Sequence, residues 1–182
     1  MKYLCACVVF AASVGASAQL PIGLPDMLSS LSSQQATHTA FTFDREMLQS
    51  ANALFEDATA GLNSVTVENY RYREPAFYVP ENMAALNAAY SAAGYHHLVE
   101  KHVDPREATM PRGTLTDLWL HNDGTNIDSV VVLIRASRQM SVVEVTGTLK
   151  PLDLVHLSGH FGIPKVDPNV VMVPDDNPRS RR

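Results

Sequence analysis

The chain has 182 residues, of which 46% are hydrophobic and 18% charged, with a formal net charge of −5. That length favours one domain, and that composition belongs to a globular chain rather than a disordered one. The negative balance argues against a nucleic-acid partner held by a basic surface.

Residues 1–18 read as a secretory signal peptide. Lys2 is the positive start, Tyr3 to Val14 the apolar core, and Ala16-Ser17-Ala18 a small-x-small cleavage site. The apolar run is shorter than the roughly 20 residues a bilayer span needs. The expectation is therefore export, to the periplasm or the extracellular space, with cleavage near Ala18 and no membrane span in the mature form. Losing Lys2 changes the net charge from −5 to −6. Cys5 and Cys7 both lie inside the signal, so the mature chain is expected to contain no disulfide, thiol nucleophile or Cys-ligated zinc. Such a domain must rest on its hydrophobic core, which about 140 ordered residues can supply.

Residues 19–38 are small and polar and read as a flexible linker, with a short turn of helix at Pro25–Leu31. Alternatively, Ile22, Leu24, Met27, Leu28 and Leu31 form a small sticky patch. A short strand at Thr39–Phe43 leads into a helix capped by Asp44, with Phe43 and Leu48 at hydrophobic-staple spacing and Gly61 at its end. Met47, Leu48, Ala51, Leu54, Phe55, Ala58 and Leu62 form its core-facing stripe. Ser64–Arg73 alternates as a strand, with Thr66, Glu68, Tyr70 and Tyr72 on one face and Val65, Val67, Asn69, Arg71 and Arg73 on the other. Pro80–Ala93 reads as a second helix with Met83, Leu86, Tyr90 and Ala93 buried.

Tyr95–Val103 reads as a strand ended by Asp104-Pro105, and Glu107–Gly113 as a loop. Leu115–Leu149 then carries a three-stranded antiparallel meander, its first turn at Asn122-Asp123-Gly124. Val130, Val132 and Ile134 fall on one face of the middle strand and Ile127, Val131 and Leu133 on the other, so both faces require cover. Pro151 opens a short helix bearing Leu154, Leu157 and Phe161, and residues 167–182 read as a disordered tail. The fold class that follows is α+β. A mostly antiparallel sheet carries two main helices and a short C-terminal helix on one side, in a single domain over residues 39–166.

The Val-rich strand pair SVVVLIRASRQMSVVEVTG, followed by LKPLDLVHLSGHFGIPKV, resembles a bacterial exported family of unknown function, numbered four-two-five-two. The matching positions are Asp123-Gly124, Gly147 and Asp153-Leu154, and the resemblance covers roughly residues 37–166. It implies export and an early helix, but its motifs are structural and carry no activity. A link to extracytoplasmic signalling is the one looser association.

Few residues point to chemistry. His156 and His160 have zinc-chelating spacing but lack the adjacent Glu of a zincin, and Gly159 lies between them. His96, His102 and Glu100 share a predicted strand face, with His97 turned away; they make either a cation or pH-sensing cluster or a solvated face. His121 reads as a turn residue, and Asp104, Glu107, Asp117, Asp123 and Asp128 are scattered. There is no EF-hand loop, phosphate loop or nucleophile elbow. The densest aromatic and basic cluster is Tyr70, Arg71, Tyr72, Arg73, Phe77 and Tyr78. Exposed, it would stack on a partner; packed, it would form cross-strand pairs beneath a loop.

The leading expectation is a non-enzymatic envelope module using Tyr70, Arg71, Tyr72, Arg73 and Tyr78 to bind an envelope protein or small ligand, without a cofactor or metal. The alternatives are a metal-dependent enzyme using the histidines, or an apolar-ligand carrier with a pocket at Met83, Leu86 and Tyr90.

Overall fold

The computed structural model describes residues 23–51, 59–98 and 103–150. Its centre is a six-stranded antiparallel sheet. The strands are β1 (Ala36–Asp44), β2 (Leu62–Tyr72), β3 (His96–Leu98), β4 (Leu115–Asp123), β5 (Asn126–Arg135) and β6 (Gln139–Leu149). Their order across the sheet is β1-β2-β6-β5-β4-β3. The helices are α1 (Leu24–Ser30), α2 (Arg45–Ala51), α3 (Pro80–Ala92) and α4 (Pro105–Thr109). The architecture is α+β, and the sheet with its helices forms around two apolar layers, one on each face.

Strand alternation decides which residue enters which layer. Tyr70, Tyr72, Trp119, Val131, Leu133, Met140 and Val142 project to one face, which α1 and α3 cover with Leu24, Leu28, Leu86 and Tyr90. Val65, Val130, Val132, Val143 and Val145 project to the other, against Leu48 of α2. Helices therefore lie on both faces, where one-sided packing was expected. The physical reason is the run of buried residues on β5 and β6. A strand apolar on both faces must be covered on both. The capping residue Asp44 accepts from the Met47 amide at 2.9 Å and turns the chain from β1 into α2.

Four further expectations are corrected. Residues 24–31 are not part of a tether: Leu28 and Leu31 are 1% and 0% exposed, and the Val79 amide donates to the Leu31 carbonyl at 2.9 Å. Ile127 joins Val130 and Val132 rather than Val131, because a register shift between Ile127 and Ser129 inserts a bulge that turns its side chain over. The first half of the Glu107–Gly113 loop belongs to α4, which Asp104 caps by accepting from the Arg106 amide. The first turn of the meander is tighter than Asn122-Asp123-Gly124. Asp123 and Asn126 still pair, and Gly124, at φ 63°, opens a two-residue loop. The signal peptide, the end of the long helix after Ala51, the strand residues 99–102, the C-terminal helix and the tail lie outside the described residues.

A second glycine permits a close approach at the same end of the sheet. Gly147 pairs with Leu62 at the irregularity between Leu62 and Ser64, and its φ is 145°. A Cβ there would run into the Gly61 carbonyl oxygen and sit 2.7 Å from Leu62 Cα. Gly147→Ala is therefore expected to destabilise the fold by about 2 kcal/mol or more. Urea unfolding measures this; a midpoint equal to that of the parent chain would show that the bulge relaxes freely.

Candidate functional site

The aromatic and basic cluster singled out in the sequence is divided by the fold. Tyr70, Tyr72 and Tyr78 are 3%, 6% and 0% exposed and belong to the layer beneath α1 and α3, whereas Arg71 and Arg73 are exposed. Tyr72 and Tyr78 meet edge to face at 6.3 Å, and Tyr70 stacks on His38 at 4.4 Å. Burial pushes the Tyr72 hydroxyl up to about 12, and burial raises Tyr70 and Tyr78 further. These phenols stay neutral and act as walls and hydrogen-bond donors, not as acids or bases.

Tyr78 organises what surrounds it. Its hydroxyl donates to the Ala136 carbonyl at 2.9 Å, with that of Gln139 at 3.2 Å. Its amide donates to the Thr109 carbonyl at 2.8 Å. The Ala76 amide donates to the Ser137 carbonyl and the Tyr72 amide to that of Arg138, so the chain after β2 is laced to the β5–β6 turn. On the other side Arg135 Nη1 donates to the Ala108 carbonyl at 2.8 Å. Glu107 accepts from the amides of Arg112 and Gly113, folding the end of α4 back on itself.

Between these pinned segments runs an open groove. One part, of about 640 Å³, is bordered by Arg71, Tyr72, Arg112, Thr114, Ser137 and Arg138. An adjoining part, of about 820 Å³, shares Arg112 and Ser137 and adds Arg106, Glu107 and Pro75. The side chains of Arg71, Arg112 and Arg138 make no ion pair among the described residues. Unpaired guanidinium groups grouped on one groove, in a chain of negative net charge, form a place for carboxylate or phosphate oxygens. Arg71 and Tyr72 were recognised from sequence; Arg112 and Arg138 were not, because only the hairpin and the folded-back loop bring them close.

Beneath the groove lies a buried polar network. Asp117 Oδ2 accepts from Arg135 Nη2 at 2.8 Å and Nε at 3.1 Å, and Oδ1 lies 3.2 Å from His97 Nε2. Burial by itself raises the Asp117 carboxyl, but the His97 hydrogen bond and the Arg135 charge outweigh it and hold the group below the usual range. Arg135 also lies over the Tyr78 ring at 5.4 Å.

The histidines among the described residues do not assemble. His97 stacks on Trp119 at 4.6 Å, while His96 is exposed. His102, Glu100, His156 and His160 lie outside the described residues. His121 is an inward strand residue, not a turn residue as expected; its Nδ1 is 2.6 Å from Asp128 Oδ1. Among the described residues, no three His, Cys, Asp or Glu side chains are grouped to hold a metal. Leu86 and Tyr90, expected to line an apolar pocket, are both fully buried, with Met83 packed against the same cluster.

The network predicts acid behaviour. The folded Asp117 carboxyl is depressed, so its stabilisation is present above the unfolded value of about 3.9 and is lost as pH falls through the lower folded value. Asp117→Asn leaves Arg135 buried without its counter-charge and is expected to cost about 3–5 kcal/mol at neutral pH. It should also flatten the acid limb of the stability profile. Urea melts across the acid range measure both effects, and a variant with an unchanged acid limb would contradict the assignment.

No protein-family model, no curated protein and no solved structure matches this chain.

Proposed function

We propose that the protein is an exported, non-enzymatic binding module whose groove takes an acidic segment of an envelope protein. The observation that carries this reading is the grouping of Arg71, Arg112 and Arg138, without ion-pair partners among the described residues, around one open groove. Guanidinium groups recognise carboxylates through paired N–H donors, and an exposed cluster accelerates encounter with an acidic partner. The groove's backbone is pinned before any partner arrives, which limits the ordering cost of binding.

A binding role also fits the state of the polar groups beneath the groove. Asp117 is engaged by Arg135 and His97, His121 by Asp128, and Tyr95 by Ser129. Each is committed to a partner within the fold, which suits a support for a surface better than a reacting centre. Export is supported by the signal-like residues 1–18. Among the described residues no helix is long and apolar enough to cross a membrane.

A fluorescein-labelled oligoglutamate peptide tests the reading by anisotropy. Binding is expected at low salt, weakening as salt rises, with an oligoglutamine control giving none. Reversing two charges together, Arg112→Glu and Arg138→Glu, should weaken binding at least tenfold, about 1.4 kcal/mol, without changing the circular dichroism spectrum. Wild-type protein that ignores the peptide at low salt, or a folded double variant that binds it equally well, would falsify the proposal.

A further inference from the structure

The face covered by α1 and α3 holds a second charged place, of opposite sign to the groove. Between α1 and the sheet lies a cavity of about 130 Å³, lined by Thr66, Glu68, Glu144, Tyr90, Leu24 and Leu28 among others. Thr66 pairs with Glu144 across β2 and β6, and Glu68 lies two residues further along β2, so both carboxylates stand on one face as diagonal neighbours. Burial, and then the Glu68 charge, push the Glu144 carboxyl above the usual carboxylate range, with no attractive contact among the described residues offsetting either. Among the described residues Glu68 is tied through one oxygen: Oε2 accepts from the Tyr70 hydroxyl at 2.7 Å and lies 2.9 Å from His38 Nε2.

Tyr90 is the independent sign of a ligand. It is 0% exposed, and its hydroxyl has no hydrogen-bond partner among the described residues. That hydroxyl lies within electrostatic reach of both Glu144 and Glu68. A buried hydroxyl without a partner and a like-charged carboxylate pair each cost free energy, and one cationic donor relieves both. The walls decide what kind of donor. A divalent metal would need further oxygen ligands, and the opposite wall is supplied by Leu24 and Leu28. A primary ammonium has three N–H donors for the three acceptor groups, and its alkyl chain suits the leucines. The volume holds roughly four waters at about 30 Å³ each, so the occupant is short.

We propose that this cavity is a binding subsite for a small primary alkylammonium compound, its nitrogen held by Glu144, Glu68 and the Tyr90 hydroxyl and its carbons by Leu24 and Leu28. The site is separate from the arginine groove and does not rest on the function proposed for it.

The chain carries a reporter for this site. Trp119, its one tryptophan, stacks on Tyr90 with ring centroids 4.9 Å apart. Titration of the full mature chain with n-propylammonium chloride should change Trp119 fluorescence saturably and raise Tm. Matched n-propanol and sodium chloride should do neither. Glu144→Gln should weaken n-propylammonium binding at least tenfold while remaining folded. Its own Tm should match or exceed the parent value at neutral pH, because a carboxyl raised in the folded state opposes folding when ionised. Tyr90→Phe keeps the ring and should weaken binding severalfold. The Arg112→Glu, Arg138→Glu variant should bind n-propylammonium as the parent does, which separates this site from the groove. An equal response to n-propanol, the absence of saturation, or undiminished affinity in either cavity variant would overturn the proposal.

Discussion

The ion pair between Asp117 and Arg135 is the contact through which the buried face of the sheet shapes its surface. Arg135 directs two donors at one carboxylate oxygen, a third at the Ala108 carbonyl, and its flat face at Tyr78. Each contact fixes a different part: β4 through Asp117, α4 through Ala108, and the chain after β2 through Tyr78. A buried ion pair is weak support for net stability, since desolvation offsets most of the attraction. Its value lies in geometry. The rigid guanidinium fork allows one arrangement of the three segments, where an apolar contact would tolerate several. The two sides of the groove are set by that arrangement.

The parts of the fold visible in the sequence are those governed by period. Alternation along β2 places Thr66, Glu68, Tyr70 and Tyr72 together, and the structure covers that face with helices. The Val-rich runs of β5 and β6 similarly indicate burial on both faces. What escapes is whatever depends on a single irregularity or on distant contacts. One bulge turns Ile127 over. α1 has leucines at helical spacing within a serine-rich segment. Its helix is ordered by distant contacts: Asn82 donates to the Ser30 carbonyl, and Val79 to that of Leu31. A composition average has no access to those partners.

The site was legible only in part, for the same reason. Alternation of Tyr and Arg on β2 is compatible with two opposite outcomes: tyrosines inward and arginines outward, or the reverse. The choice is made by what covers each face, and the apolar α1 and α3 draw the tyrosines in. Arg71 is thereby left outside. Its companions Arg112 and Arg138 come from a folded-back loop and a hairpin turn far along the chain. Glu144 carries even less of a signal, since one acid in a valine-rich strand reads as an ordinary outward residue. The bulge at β2–β6 and the register on either side place it opposite Thr66, under α1.

The groove and the cavity draw on the same strand, yet their charges should act independently. Arg71 and Glu68 are three residues apart on β2, about 10 Å along a strand rising 3.3 Å per residue. Alternation also sends them to opposite faces, which lengthens the path. That separation exceeds a Debye length of about 8 Å at physiological salt, and Arg71 is exposed. Burial and the Glu68 charge set the Glu144 carboxyl, and no arginine among the described residues offsets them. Glu144 instead keeps its charge conflict with Glu68, the nearest carboxylate on its own face. A strand that places cations on one side and anions on the other can thus hold two sites of opposite preference within one small domain.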